Sequence, residues 1–189
     1  MLEVLNQLEK YCRDRSLVSL RRDDIDVNST QGLVLGYSSE LILIQDVYDF
    51  FVDGLHILNI RDITSVESTK TDCLQRKILL EEGLMSDEGS GHDYPLSCWK
   101  DLLSHVVASK QIVIIEDEDP ADDIFLIGRI ARVTDYDVHV HYFNGMAEWE
   151  PDPRKMTFEY ITRCKLFTNY TNKYQSYFER YPDRDFECM

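Results

Sequence analysis

The sequence predicts a mainly β chain with flanking helices, an α+β organisation of two tandem small barrels, each preceded by an amphipathic helix. Three observations carry that expectation. The stretch GLVLGYSSELILIQDVYDFFVDGLHILNIRDIT at residues 32–64 returns in altered form as GRIARVTDYDVHVHYFNGMAEWEPDPRKMTFEYIT at 128–162. Gly32 and Gly128 open the two copies 96 positions apart, and the closing Ile63-Thr64 and Ile161-Thr162 pairs lie 98 apart, so one short insertion separates them. Upstream, Leu17–Leu20 is matched by Ile112–Ile115, and each of these runs follows a segment of helical spacing. The same order of elements twice at a near-constant offset indicates an internal repeat.

In chain order, Leu2, Leu5, Leu8 and Cys12 give residues 1–14 an apolar stripe, hence a helix that covers the open end of the first barrel. Leu17–Arg21 reads as a short strand, and the polar run RRDDIDVNST as loop or strand edge. From Gly32 the pattern turns to β, with a nearly continuous apolar strand over Leu41–Val47. Asp53-Gly54 is read as the two-residue turn of a hairpin, because a type I′ turn needs positive φ at both positions. Ile57, Ile60, Ile63 and Val66 continue the sheet, and residues 72–82 read as a helix.

The polar, glycine-containing run MSDEGSGHDYP at 85–95 is the expected boundary, so residues 1–86 form the first domain and 87–189 the second. Beyond it a helix is expected from about Pro95, with Leu96, Trp99, Leu103, Val106 and Val107 on one face. The strand QIVII then runs into an acidic loop. Val138, Val140 and Tyr142 alternate with His139, His141 and Phe143 on one strand, with the valines on the core face. Trp149, Pro151 and Pro153 stiffen the longer turn, and Tyr174, Tyr177, Phe178 and Tyr181 set a closing helix at 172–181.

A hydrophobic share of 43% argues against disorder. The net charge of -15, from 35 acidic and 20 basic residues, opposes generic nucleic-acid binding and favours a basic partner. Cysteines at 12, 73, 98, 164 and 188 show no CxxC spacing; with the polar start and the lack of a long apolar run, a cytoplasmic chain without membrane segments is expected.

A helix leading into about five short, bent antiparallel strands resembles the Sm-like branch of the small SH3-like barrels. Ile60-Arg61-Asp62-Ile63 looks like the second Sm motif, with Asp62 where glycine would stand. The Asp-Asn signature that holds uridines in the first motif has no match, so the resemblance implies a fold and not RNA binding. With Trp149, Ile161-Thr162 and its tyrosine-rich end, the second half also resembles bacterial proteins built on such barrels.

No G-x-S-x-G and no glycine-rich phosphate loop is present, so no enzyme and no cofactor is expected. The candidate binding residues are the carboxylates Glu116, Asp117, Glu118, Asp119, Asp122 and Asp123, and the turn aromatics Tyr142, Phe143 and Trp149. Tyr48, Phe50 and Phe51 are their counterparts in the first copy; both sets could stack bases or grip a peptide, and both are read chiefly as core. His139 and His141 share a strand face as half of a metal site, but two solvated histidines on an edge strand are the commoner arrangement, so no metal is expected.

The expected function is a non-enzymatic binding or scaffold protein acting through protein surfaces. One form is an immunity-type protein that neutralises a basic partner, such as a nuclease toxin, through the loop from Glu116 to Asp123. The alternative is a nucleic-acid-associated Sm-like protein that stacks single-stranded RNA or DNA on its turn aromatics beside Arg129, Arg132, Arg154, Lys155, Arg163 and Lys165. Exposed strand edges allow a homo-oligomer.

Overall fold

The computed structural model describes residues 2–85, 93–119 and 123–182. The chain divides into two compact units, Met1–Cys98 and Trp99–Met189. Each is β-rich with flanking helices, as the periodicities indicate.

In the first unit, α1 (Leu2–Arg13) precedes β1 (Leu17–Arg22), β2 (Asp26–Tyr37), β3 (Leu41–Tyr48) and β4 (Phe51–Asn59). A single 3₁₀ turn (Ile60–Asp62), β5 (Ser65–Glu67) and α2 (Lys70–Glu81) follow. All pairings are antiparallel, in the order β5-β1-β2-β3-β4. The two outer strands do not pair with each other, so the five form an open, bent sheet and not a closed barrel. At three residues β5 is long enough to reach only β1. Val4 and Leu8 of α1 bury against Val18, Leu20, Val34, Ile42, Ile44 and Leu58 on one face. On the other, Leu79 of α2 packs on Leu17 and Val47.

The second unit repeats this order. α3 (Trp99–Val107), β6 (Ile112–Asp117), β7 (Ile124–Val133), β8 (Asp137–Tyr142) and β9 (Arg154–Thr157) lead to a 3₁₀ turn (Phe158–Tyr160), β10 (Arg163–Leu166) and α4 (Asn169–Arg180). Its strand order is β10-β6-β7-β8-β9. Val138 and Val140 are buried, as the alternation requires, while α4 covers the opposite face with Phe178 against Ile112, Ile114 and Ile127.

The correspondence reaches single residues. A Cβ placed on Gly32 would lie 2.6 Å from the carbonyl oxygen of Gln45, and one on Gly128 would strike the carbonyl oxygen of His141. Both pairs stand 96 positions apart. The ladder slips between Val34 and Gly36 in one unit and between Ile130 and Arg132 in the other, again at that offset. A bulge beside a glycine bends a long strand sharply, so both sheets fold over their cores at one position. Thr69 and Thr168 cap α2 and α4 through their side chains.

Two further sequence expectations are corrected. The hairpin turn is Asp49-Phe50, at φ 44° and 65°, and not Asp53-Gly54, which lie inside β4. A glycine beside an aspartate signals a turn only where the pairing puts it there, and Val47–Val52 with Tyr48–Phe51 fixes the turn earlier. The helix expected from Pro95 begins at Trp99, because Leu96 turns back on the first unit: its carbonyl accepts from the Ser38 hydroxyl at 2.6 Å, and its side chain abuts Gly36. Residues 86–92, most of the expected boundary segment, lie outside the described residues.

α2 is held by one buried carboxylate. Asp72 accepts hydrogen bonds from the Thr69 amide and hydroxyl at 2.7 Å each, from Gln31 Nε2 at 2.6 Å and from Ser19 Oγ at 3.2 Å. Burial alone would raise its pKa, but these bonds outweigh it and hold the carboxyl below its usual value. A depressed folded-state pKa gives stability that is present above the unfolded value near 4 and is lost as pH falls through the folded one. Asp72→Asn should therefore destabilise the protein by about 1–3 kcal/mol near neutral pH. In urea unfolding carried stepwise to pH 3, its gap to the parent should narrow.

Among the described residues no helix is long and apolar enough to cross a membrane.

Candidate functional site

The acidic stretch after β6 is largely engaged within its own unit. Glu116 and Asp117 are 9% and 3% exposed, because β6 continues through both instead of giving way to loop. Lys165 Nζ lies 2.8 Å from Glu116 Oε1, and Arg163 Nη2 lies 3.0 Å from Glu118 Oε1. The Thr162 hydroxyl donates to Glu118 Oε2 at 2.9 Å. Asp119 and Asp123 are exposed, while Asp122 lies outside the described residues. The cluster thus supplies two described exposed carboxylates, while Glu116 and Glu118 tie this stretch to β10 and Asp117 accepts from the Asp119 amide at 3.1 Å. Cys164 sits beneath this network; burial and the nearby Glu116 push its thiol pKa far up, so it packs as a small apolar side chain.

The turn aromatics of the second unit are packed. Phe143 is 3% exposed, bridges to Trp149 across the turn, and meets Trp149, Tyr174 and Phe178 at ring-centroid distances of 5.2, 4.7 and 4.9 Å. Its face is closed to a stacking base. Trp149 is half-buried, with the Arg129 guanidinium 5.4 Å from its ring and His141 4.9 Å away, and Tyr142 is half-buried as well. The longer turn and α4 together make this cluster.

His139 and His141 both spend Nε2 on neighbours. His139 Nε2 lies 3.0 Å from Arg132 Nη2 and 3.2 Å from Asp137 Oδ1, and His141 Nε2 lies 2.8 Å from the Glu150 carbonyl. The Thr134 hydroxyl holds the Asp137 carboxyl below its usual range. Among the described residues no group of three or more His, Cys, Asp or Glu is placed to hold a metal ion. Arg132, His139 and Lys155 do stand side by side across β7, β8 and β9, a short row with a cation at each end.

The first unit offers the opposite surface, and its aromatics behave differently from those of the second. Tyr48, Phe50 and Phe51, read from sequence as core, are 72%, 46% and 54% exposed at the tip of the β3–β4 hairpin. Tyr48 and Phe51 are direct cross-strand partners. Ile42, Ile44, Asp46 and Tyr48 alternate onto one face of β3, so the aromatic pair overhangs the end of the core-facing side. Val47 and Val52, the next pair inward, carry the hairpin onto α2. From Asp23 to Ile60 the chain has no Lys or Arg, while it carries Asp23, Asp24, Asp26, Glu40, Asp46, Asp49 and Asp53. Asp46 lies 3.4 Å from the buried His56, and Asp49 is exposed at the turn.

Sequence reasoning weighed these aromatics as a platform but preferred the core, for a local reason. The Asp53-Gly54 pair drew the turn away from Asp49-Phe50, and aromatic residues in a small domain are ordinarily needed inside it.

Comparison with protein-family models, with curated proteins and with solved structures gives no match.

Proposed function

We propose that the chain is a non-enzymatic cytoplasmic binding protein of two tandem Sm-like units, each built on an open, bent five-stranded sheet, acting through its surface on a basic protein partner. The order of elements in each unit, a helix, four strands, a 3₁₀ turn and a fifth strand, supports the Sm-like reading. The observation that carries the choice of partner is the stretch from Asp23 to Ile60, which supplies β2, β3 and β4 without a single Lys or Arg. A surface of one sign attracts a partner of the other and sets its rate of encounter. The acidic face therefore belongs to the first unit, and the immunity-type reading moves there from the Glu116–Asp123 stretch.

The test is calorimetric titration of the whole chain with a lysine- and arginine-rich peptide across ionic strength. Binding should weaken steeply as salt rises. Equal affinity for a neutral peptide of the same length would refute the reading.

A second reading rests on the row Arg132, His139 and Lys155: a polyanion such as single-stranded RNA lying across β7, β8 and β9. Filter binding at low salt tests it, and retention that survives Arg132→Glu with Lys155→Glu counts against it.

A further inference from the structure

We infer that the β3–β4 hairpin tip is the grip for a short arginine-rich segment of that partner, with Tyr48, Phe50 and Phe51 stacking on guanidinium groups and Asp46, Asp49 and Asp53 around them. The inference rests on the basic-partner reading above and gives it a place and a chemistry.

Four observations converge on the tip. Three large aromatics are exposed together within four residues, whereas an exposed apolar side chain is ordinarily single. Phe50 holds φ at 65°, a region that costs a bulky residue about 1–3 kcal/mol and that glycine or asparagine occupies freely. Backbone strain that a smaller side chain would relieve is maintained here, and what it maintains is an aromatic ring in solvent. The equivalent pair one step inward, Val47–Val52, already joins the hairpin to α2, so Tyr48 and Phe51 are surplus to that packing. Finally, every ionised side chain from Asp23 to Ile60 other than a histidine is an acid, which selects a cation and repels an anionic membrane or a nucleic acid.

Arginine suits the site better than lysine. Its planar guanidinium stacks on an aromatic face while its edge donates to carboxylates, and it sheds water more readily than an ammonium group. Asp49 is exposed at the turn between the aromatics, and Asp46 and Asp53 follow within two residues on either strand, where the β3–β4 ladder slips.

The experiment is calorimetric titration of the full chain with octa-arginine at low salt, with an alternating glycine-serine octamer as control and sedimentation velocity alongside. Tyr48→Ala with Phe51→Ala should weaken binding about tenfold, the scale of losing two exposed cation–π contacts. Phe50→Gly should weaken it too, while its thermal midpoint stays level or rises as the strain is released. The second variant thus separates loss of binding from loss of folding. If the parent binds octa-arginine and these variants bind equally well, the tip is not the grip, though the basic-partner reading survives. If the parent does not bind it at all, both fall. If the parent self-associates and the tip variants are monomeric with unchanged octa-arginine affinity, the tip docks on a second copy, and the inference is overturned.

Discussion

Gly128→Ala is expected to destabilise the protein by about 3 kcal/mol or more, the scale of an overpacked core with an enforced backbone shift. The new methyl group would meet the His141 carbonyl oxygen and lie 2.6 Å from the Tyr142 Cα, so the opposing atoms are backbone in a paired strand and have no rotamer to turn aside. β7 and β8 would have to separate where the sheet bends, loosening the Ile127 and Phe143 contacts with α4. Gly32→Ala should act in the same direction but less severely, since its methyl group would sit 2.6 Å from one carbonyl oxygen and otherwise against the Ile44 side chain. Chemical denaturation of both variants reads the difference. A near-neutral Gly128→Ala would mean that the strands do not cross so closely.

Glu116→Ala should have the second-largest effect, about 2–4 kcal/mol, because removing one member of a largely buried ion network strands the others. Glu116 Oε1 receives Lys165 at 2.8 Å, and Glu116 Oε2 lies 3.8 Å from Arg163 Nε, whose Nη2 is shared with Glu118. With Glu116 gone, two cations would face one remaining carboxylate in a poorly solvated place. Lys165→Met made together with Glu116→Met should recover much of the loss, as a matched apolar pair replaces a matched ionic one. Thermal melts of the single and double variants decide this. A single substitution within the noise of the parent would instead make the Glu116–Asp117 stretch the solvated loop that its composition resembles.

Most of the architecture was legible because it rests on period and repetition. Leu5, Leu8 and Cys12 of α1 (though not Leu2, which is 80% exposed), the alternation of Val138 and Val140, and the recurrence of Gly32 as Gly128 are one-dimensional signals of burial and bending. What escaped the sequence depends on register and on distant partners. Whether Asp53-Gly54 or Asp49-Phe50 makes the turn is decided by the pairing of Val47 with Val52. Leu96 carries helical spacing, yet Ser38 and Gly36 hold it elsewhere. The same limit governs the candidate site. A run of carboxylates looks solvated until Arg163 and Lys165 arrive from a strand more than forty residues away. Phe143 and Phe51 likewise look alike in sequence, and only the presence of α4 over the first, with no such cover at the β3–β4 tip among the described residues, tells a core aromatic from a displayed one.

The most direct measurement is an amide chemical-shift map of the isotopically labelled full chain as an arginine-rich peptide is added. The account requires the largest, salt-sensitive shifts between Gln45 and Asp53, with β7–β9 quiet. Shifts centred on Asp119–Asp123 or on Arg132, His139 and Lys155, or no saturable change anywhere, would contradict it.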